Sequence, residues 1–203
     1  DNSYYLWYRC GMSPLVSLIL VNHNYGPFLQ EAIQSCLCQD HSPLEVIVVD
    51  DGSTDDSRNI ISEFGDKIIP VLKSNGGQAS AFNAGFTRSR GEFICLMDAD
   101  DIFLPQKVSS VVKAFEQYPG SDWCFHAVQC IGQYHWSAVT ATAWMKDSPN
   151  EVWTVDLRED SVRESKLPYI PPTSANVYRR SLLAKILPMP EDTSITFNDY
   201  YIH

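Results

Sequence analysis

Phe93-Ile94-Cys95-Leu96-Met97-Asp98-Ala99-Asp100-Asp101 is an apolar run that ends in three carboxylates within four residues. A short apolar run bounded by polar residues reads as a buried strand. Acids crowded where such a strand leaves the core repel one another unless a proton or a cation stands among them. Asp-x-Asp at a strand end offers the hard oxygen ligands that a divalent ion accepts, and such an ion also binds a diphosphate.

Working outward, residues 16–21 and 44–49 are two further apolar, β-branched runs. Each also ends in a polar cluster: Asn22-His23-Asn24 after the first, Asp50-Asp51-Gly52-Ser53-Thr54-Asp55 after the second. Residues 28–39 carry apolar side chains at helical spacing, with Pro27 placed for a helix start. The polar cluster at 50–55 leads into a second helix over 56–64, with Ser53 or Thr54 suited to capping it. A strand over 68–73 follows, then a third helix opened by Gly76 and Gly77 and running through Arg90. Strands alternating with helices of this length predict βαβ units and a mostly parallel sheet. Ligands of such sheets bind outside the carboxyl ends of the strands, where Asn22, Asp50 and Asp98 all fall.

Beyond Pro105 a helix is predicted to about Tyr118, stopped by Pro119-Gly120. The aromatic, β-branched stretch 121–143 reads as antiparallel strands, 175–179 as a short strand and 181–187 as a helix. The expected fold class is α/β: a Rossmann-like, mostly parallel sheet flanked by helices, with a smaller antiparallel region. Residues 1–13 read as an extension or linker, and 14–203 as one domain with a nucleotide half (14–118) and an acceptor half (119–203). Starting at Asp1, the chain reads as a piece of a longer protein.

The net charge of −10 argues against nucleic acid as a direct partner. An anionic nucleotide would then bind through a cation. The apolar runs are far too short to span a bilayer, and no basic-then-apolar leader opens the chain. Six cysteines lack Cys-x-x-Cys or zinc-finger spacing and read as reduced, packed thiols of a cytoplasmic protein, free or peripheral to a membrane.

Four stretches in register with the strand ends carry a resemblance: 16–24, 48–55, Asn75-Gly76-Gly77-Gln78-Ala79-Ser80-Ala81-Phe82-Asn83-Ala84-Gly85, and 98–101. Together they resemble the family 2 glycosyltransferases, whose catalytic domain has the GT-A fold. The resemblance is close over 14–118 and looser from Pro172 to Tyr200. It implies a nucleotide-diphosphate sugar donor, UDP-linked by preference, and a saccharide or lipid-linked acceptor. Asp50 and Asp51 would meet the nucleobase, Asp51 accepting its N–H, with Val21, Asn22 and His23 flanking it. Gly77 would let the backbone approach the nucleotide, and Asn83 would face the site from the third helix. Asp98, Ala99 and Asp100 would lie at the diphosphate, with Asp98 and Asp100 holding Mn²⁺ or Mg²⁺. Asp199 would be the base that takes the acceptor proton, with Glu191 and Asp192 as competitors. Thr173, Ser174 and Arg179 would shape the acceptor pocket. The Gln-x-x-Arg-Trp signature of processive synthases is absent, which favours transfer of a single sugar. Two other readings share parts of this pattern. A degenerate nucleotide-sugar-binding domain fits the same motifs without the chemistry. A haloacid-dehalogenase-like phosphatase also uses Asp-x-Asp, but wants Thr or Val where Ile102 stands and places the motif early in its chain.

Overall fold

The computed structural model of the chain describes residues 12–126 and 172–191. Six strands and five α-helices appear there. In chain order they are β1 (Val16–Asn22), α1 (Gly26–Leu37), β2 (Leu44–Asp51), α2 (Ser57–Glu63), β3 (Ile69–Lys73) and α3 (Gly77–Arg88). They continue with β4 (Phe93–Asp98), α4 (Lys107–Gln117), β5 (Trp123–Phe125), β6 (Asn176–Arg179) and α5 (Arg180–Ile186). One sheet holds all six strands in the order β3-β2-β1-β4-β6-β5. The first four run parallel, whereas β6 runs antiparallel to both β4 and β5. The α/β expectation therefore holds. The remainder of the predicted antiparallel stretch, 127–143, lies outside the described residues.

Every residue of β1 is buried, because the sheet is covered on both faces. Successive side chains of a strand point to opposite faces. Leu18, Leu20, Val46, Val48, Cys95 and Met97 pack in one core with Leu29 and Ile33 of α1 and Val108 and Phe115 of α4. Ile19, Val21, Ile47, Val49, Ile94 and Leu96 pack in the other, with Phe82 of α3 and Leu183 of α5. Each such side chain contributes about 1.5–3 kcal/mol on burial. Helix α3 lies especially close to the sheet. A Cβ on Gly85 would stand 2.4 Å from a methyl of Ile19 and 3.1 Å from one of Val49.

The strands outlast their apolar runs. β2 continues through Asp50 and Asp51, and β4 through Asp98, because no turn residue interrupts the ladder before Gly52, whose φ is +75°. Asp50 is level with Asn22 and Asp98 with Val21, on the two sides of β1. The alternation seen in the core runs on into the acids. Asn22 and Asp50 point toward α1 and α2, and Asp51 and Asp98 point toward α3.

Candidate functional site

The turns after β1 and β2 are laced together. Asn22, buried at the end of β1, donates from Nδ2 to Asp50 Oδ2 and to Ser53 Oγ, each at 3.0 Å. The backbone N–H of Ser53 (3.2 Å) and Arg58 Nε (2.8 Å) donate to Asp50 Oδ1. Burial pushes Asp50 upward, but the hydrogen bonds from Ser53, Arg58 and Asn22 together outweigh it and hold the carboxyl below its usual range. Asn24 sits at φ 61° and accepts the N–H of Thr54 on Oδ1 at 2.7 Å. Asp55 accepts the N–H of Gly26 (2.9 Å) and of Ser57 (3.1 Å), so one carboxylate satisfies the starts of both α1 and α2. The expected cap from Ser53 or Thr54 is not made. Ser53 Oγ instead accepts from Asn22 and from the N–H of Asn24, because the turn folds back on β1 rather than forward on the helix.

Asp51 points the other way. Its carboxylate accepts Lys73 Nζ at 2.6 Å, the N–H of Gly76 at 3.0 Å and the N–H of Gly77 at 2.8 Å. It thereby caps α3 from across the sheet, at a helix start built from two glycines, the second with φ +83°. Exposed His23 has Nδ1 2.8 Å from the Asp51 carbonyl oxygen, and the Asn75 amide lies 3.2 Å from its Nε2.

At the end of β4, the Gln78 amide donates to Asp98 Oδ1 at 3.2 Å, and the Asp98 N–H donates to Ser174 Oγ at 3.0 Å. Ala99 is buried, while Asp100 and Asp101 are exposed. Partial burial and the neighbouring Asp101 carboxylate push Asp100 above the usual range. Beneath this turn lies Lys107, which is 8 % exposed. Its ammonium donates to the Ser174 carbonyl at 2.6 Å and stands 3.2 Å above the Phe103 ring. Burial pushes its pKa down to about 8, despite the thiols of Cys95, Cys36 and Cys124 and the Asp101 carboxylate nearby.

Glu191 closes the rim. It accepts from Ser80 Oγ at 3.0 Å and Asn83 Nδ2 at 3.1 Å, and the bonds from Asn83 and Ser80 lower its pKa. Asn83 also exchanges two bonds of 2.8 Å with the backbone of Met189.

The structure thus brings His23, Asp51, Gly77 and Asp98 together around the first turn of α3, with Asp100 on the exposed turn that follows β4. Three expected residues stand elsewhere. Asp50 and Asp51 are both buried and hydrogen-bonded, but Asp50 turns toward α1 and α2, away from α3, and braces the site from below through Asn22, Ser53 and Arg58. Asn83 ties α3 to the segment 189–191 rather than facing the cleft, because both ends of its amide are taken. Arg179 is level with Phe93, at the opposite end of β4, and donates to the carbonyls of Ser121 and Pro119. Asn22 and Val21 are buried and shape the turn from beneath. Asp192 and Asp199 lie outside the described residues. Sequence reasoning overlooked Gln78 and Lys107. The first adjoins the Gly76-Gly77 pair. The second lies one turn before Val111 and two before Phe115, on the buried stripe of α4.

The family model for glycosyl transferase family 2 matches residues 17–187. An uncharacterized glycosyltransferase of Nostoc sp. is 36 % identical over 178 residues, covering 86 % of this chain and 53 % of the relative. The crystal structure of residues 1–349 of S. aureus TarS matches with a TM-score of 0.68 at 21 % identity, over 92 % of this chain and 53 % of that one. A mannosyltransferase from Pyrobaculum calidifontis, in complex with GDP-Man and Mn²⁺, matches at 0.57 and 23 % identity, over 89 % and 49 %. At such identities the structures show the shared GT-A fold. The chain spans about half the length of the Nostoc relative and of each of these two chains of known structure. Matched by the family model over most of its length, the chain belongs to glycosyl transferase family 2.

Proposed function

We propose that this domain transfers a single sugar, with inversion, from a nucleotide-diphosphate sugar to an acceptor hydroxyl in glycan or glycoconjugate synthesis. The observation that carries the reading is that Asp51 and Asp98, from two different strands, both bond the first turn of α3. Structures of relatives support it. TarS is described in complex with UDP-GlcNAc, matching at a TM-score of 0.62, and the Pyrobaculum mannosyltransferase with GDP-Man and Mn²⁺. UDP is the nucleotide we favour.

In this reading Asp51 accepts an N–H of the nucleobase, exchanging its present partners for it. His23 borders the base, and the glycines at 76 and 77 let backbone approach the nucleotide. Asp98 and Asp100 are hard oxygen donors at one strand end, and partial burial with the neighbouring Asp101 carboxylate raises Asp100, which suits a divalent cation. Among the described residues no three His, Cys, Asp or Glu side chains converge as a metal cage, so Mn²⁺ or Mg²⁺ would complete its shell with diphosphate and water. Bound there, the ion offsets charge on the departing nucleoside diphosphate. Asp199 takes the proton of the acceptor hydroxyl as that oxygen attacks the anomeric carbon and the bond to the diphosphate breaks. The acceptor is a saccharide or a lipid-linked glycan. Among the described residues no helix is long and apolar enough to cross a membrane, and we place the domain in the cytoplasm or at a membrane surface.

Thermal shift tests the donor side. Saturation at about 100 times Kd stabilises by about 2.7 kcal/mol, which is about 5–10 °C for a domain this size. UDP with Mn²⁺ should reach that range and UDP with chelator should fall well short. Asp100→Ala should erase the difference, and Asp199→Ala should keep nucleotide binding while abolishing transfer. Release of UDP from a UDP-sugar separates an enzyme from a mere binder. Equal shifts with metal and with chelator would refute the cation role.

A further inference from the structure

We propose that Lys107 is a positioning residue for the acidic turn, acting through Ser174 on the backbone of Asp98. This rests on the cation role given above to Asp98 and Asp100. A buried ammonium is expensive unless it is paired. No salt bridge to Lys107 is present among the described residues; its observed contacts are the Ser174 carbonyl at 2.6 Å and the face of Phe103. An apolar side chain of the same length would fill the position, on a stripe that otherwise carries Val108, Val111, Val112 and Phe115. Fold stability alone therefore does not account for a lysine here.

What the ammonium holds does account for it. Ser174 belongs to the single turn Thr173–Ala175, far along the chain from β4, and is 5 % exposed. With its carbonyl fixed by Lys107, its hydroxyl stays on the Asp98 N–H at 3.0 Å. Asp98 is at once the last residue of β4 and the first acid of the turn, with its side chain steadied from the other side by Gln78. Lys107 opens α4, immediately after the loop that carries Asp100 and Asp101. Its two contacts thus hold that loop at two points: at Phe103 within it, and at Asp98 through Ser174. The segment that returns from the second half of the domain is thereby joined to the donor-binding rim by one buried cation.

The test compares the parent domain with Lys107→Met, Ser174→Ala and the double variant. Amide hydrogen exchange at Asp98 is read without metal. Mn²⁺ affinity is read by the spin resonance of free Mn²⁺ with UDP present. Loss of one hydrogen bond corresponds to about fivefold, in exchange rate and in affinity alike. Lys107→Met should speed exchange at Asp98 by that factor, leave residues 94–97 unchanged, weaken Mn²⁺ to the same extent and spare UDP affinity in chelator. Its thermal midpoint should stay within about 4 °C of the parent, since removing the buried charge offsets leaving the Ser174 carbonyl without its donor. Ser174→Ala should match it, and the double variant should add nothing. Unchanged exchange at Asp98 in Lys107→Met, or additive effects in the double variant, overturns the proposal. Mn²⁺ binding absent from the parent overturns the cation role instead, and the exchange rates still decide the tie. If Lys107→Met does not fold, Lys107→Gln replaces it in the same comparison.

Discussion

Replacing Asp51 by Asn removes a charge and changes almost nothing in shape, so its cost can be worked from the partners. In the parent, Oδ1 accepts Lys73 Nζ and the Gly76 N–H while Oδ2 accepts the Gly77 N–H. An amide offers one oxygen. If its NH₂ takes the Oδ2 position it opposes the Gly77 N–H; in the Oδ1 position it opposes both Lys73 and Gly76. Either way at least one charge-assisted bond is lost, worth about 1.5–3 kcal/mol. The surviving bonds to a neutral acceptor are about half as strong. Lys73, with a side chain 21 % exposed, is left without its anion. The sum is about 3 kcal/mol, or about 6–12 °C in thermal midpoint for a domain of this size. Circular dichroism melting at pH 7 measures it, with urea titration as the check that the slope is unchanged. UDP should also stop stabilising the variant. A midpoint within about 2 °C of the parent would show that Asp51 does not hold the start of α3 as described.

Three shorter predictions follow from other contacts. Gly85→Val should cost about 3 kcal/mol by urea denaturation, since its Cβ alone would overlap Ile19; a neutral result would mean that α3 stands farther from the sheet. Gly52→Ala should lose about 2 kcal/mol and weaken UDP binding, because φ is +75° and the new Cβ would stand 2.4 Å from the Asn75 backbone nitrogen; unchanged stability and UDP affinity would refute it. Glu45 is raised by burial, but Ser17 and Arg90 bond it strongly enough to lower its pKa overall. Its contribution is therefore present above the unfolded value of about 4.3 and lost as pH falls through the lower folded value. The stability gap between parent and Glu45→Gln should be constant from pH 7 to 5 and shrink below about pH 4; a gap that widens in acid would contradict the sign.

The alternation of strands and helices was legible because β1, β2 and β4 are apolar runs closed by polar clusters, and those clusters pointed to one rim. Which acid of the Asp50-Asp51 pair points toward α3 was also encoded. Val49 and Asp51 share a face, and that face carries α3. Treating the two acids alike passed over this alternation, which turns Asp50 toward α1 and α2. Asn83 misled for a different reason: its partners, Met189 and Glu191, lie more than a hundred residues away, and no local period announces such a contact. Lys107 was readable as the odd cation on an apolar stripe, whereas its acceptor, Ser174, was not.

Two strands that carry their acids beyond the apolar core leave the site sensitive to counting. Deleting or inserting one residue inside β2 or β4 would swap the two faces of everything downstream in that strand. Asp51 would then turn toward α2, and Asp98 would leave α3. Length variation among proteins built this way should accordingly gather in the connections at the far end of the sheet, such as 38–43 and 89–92, and spare the strands themselves.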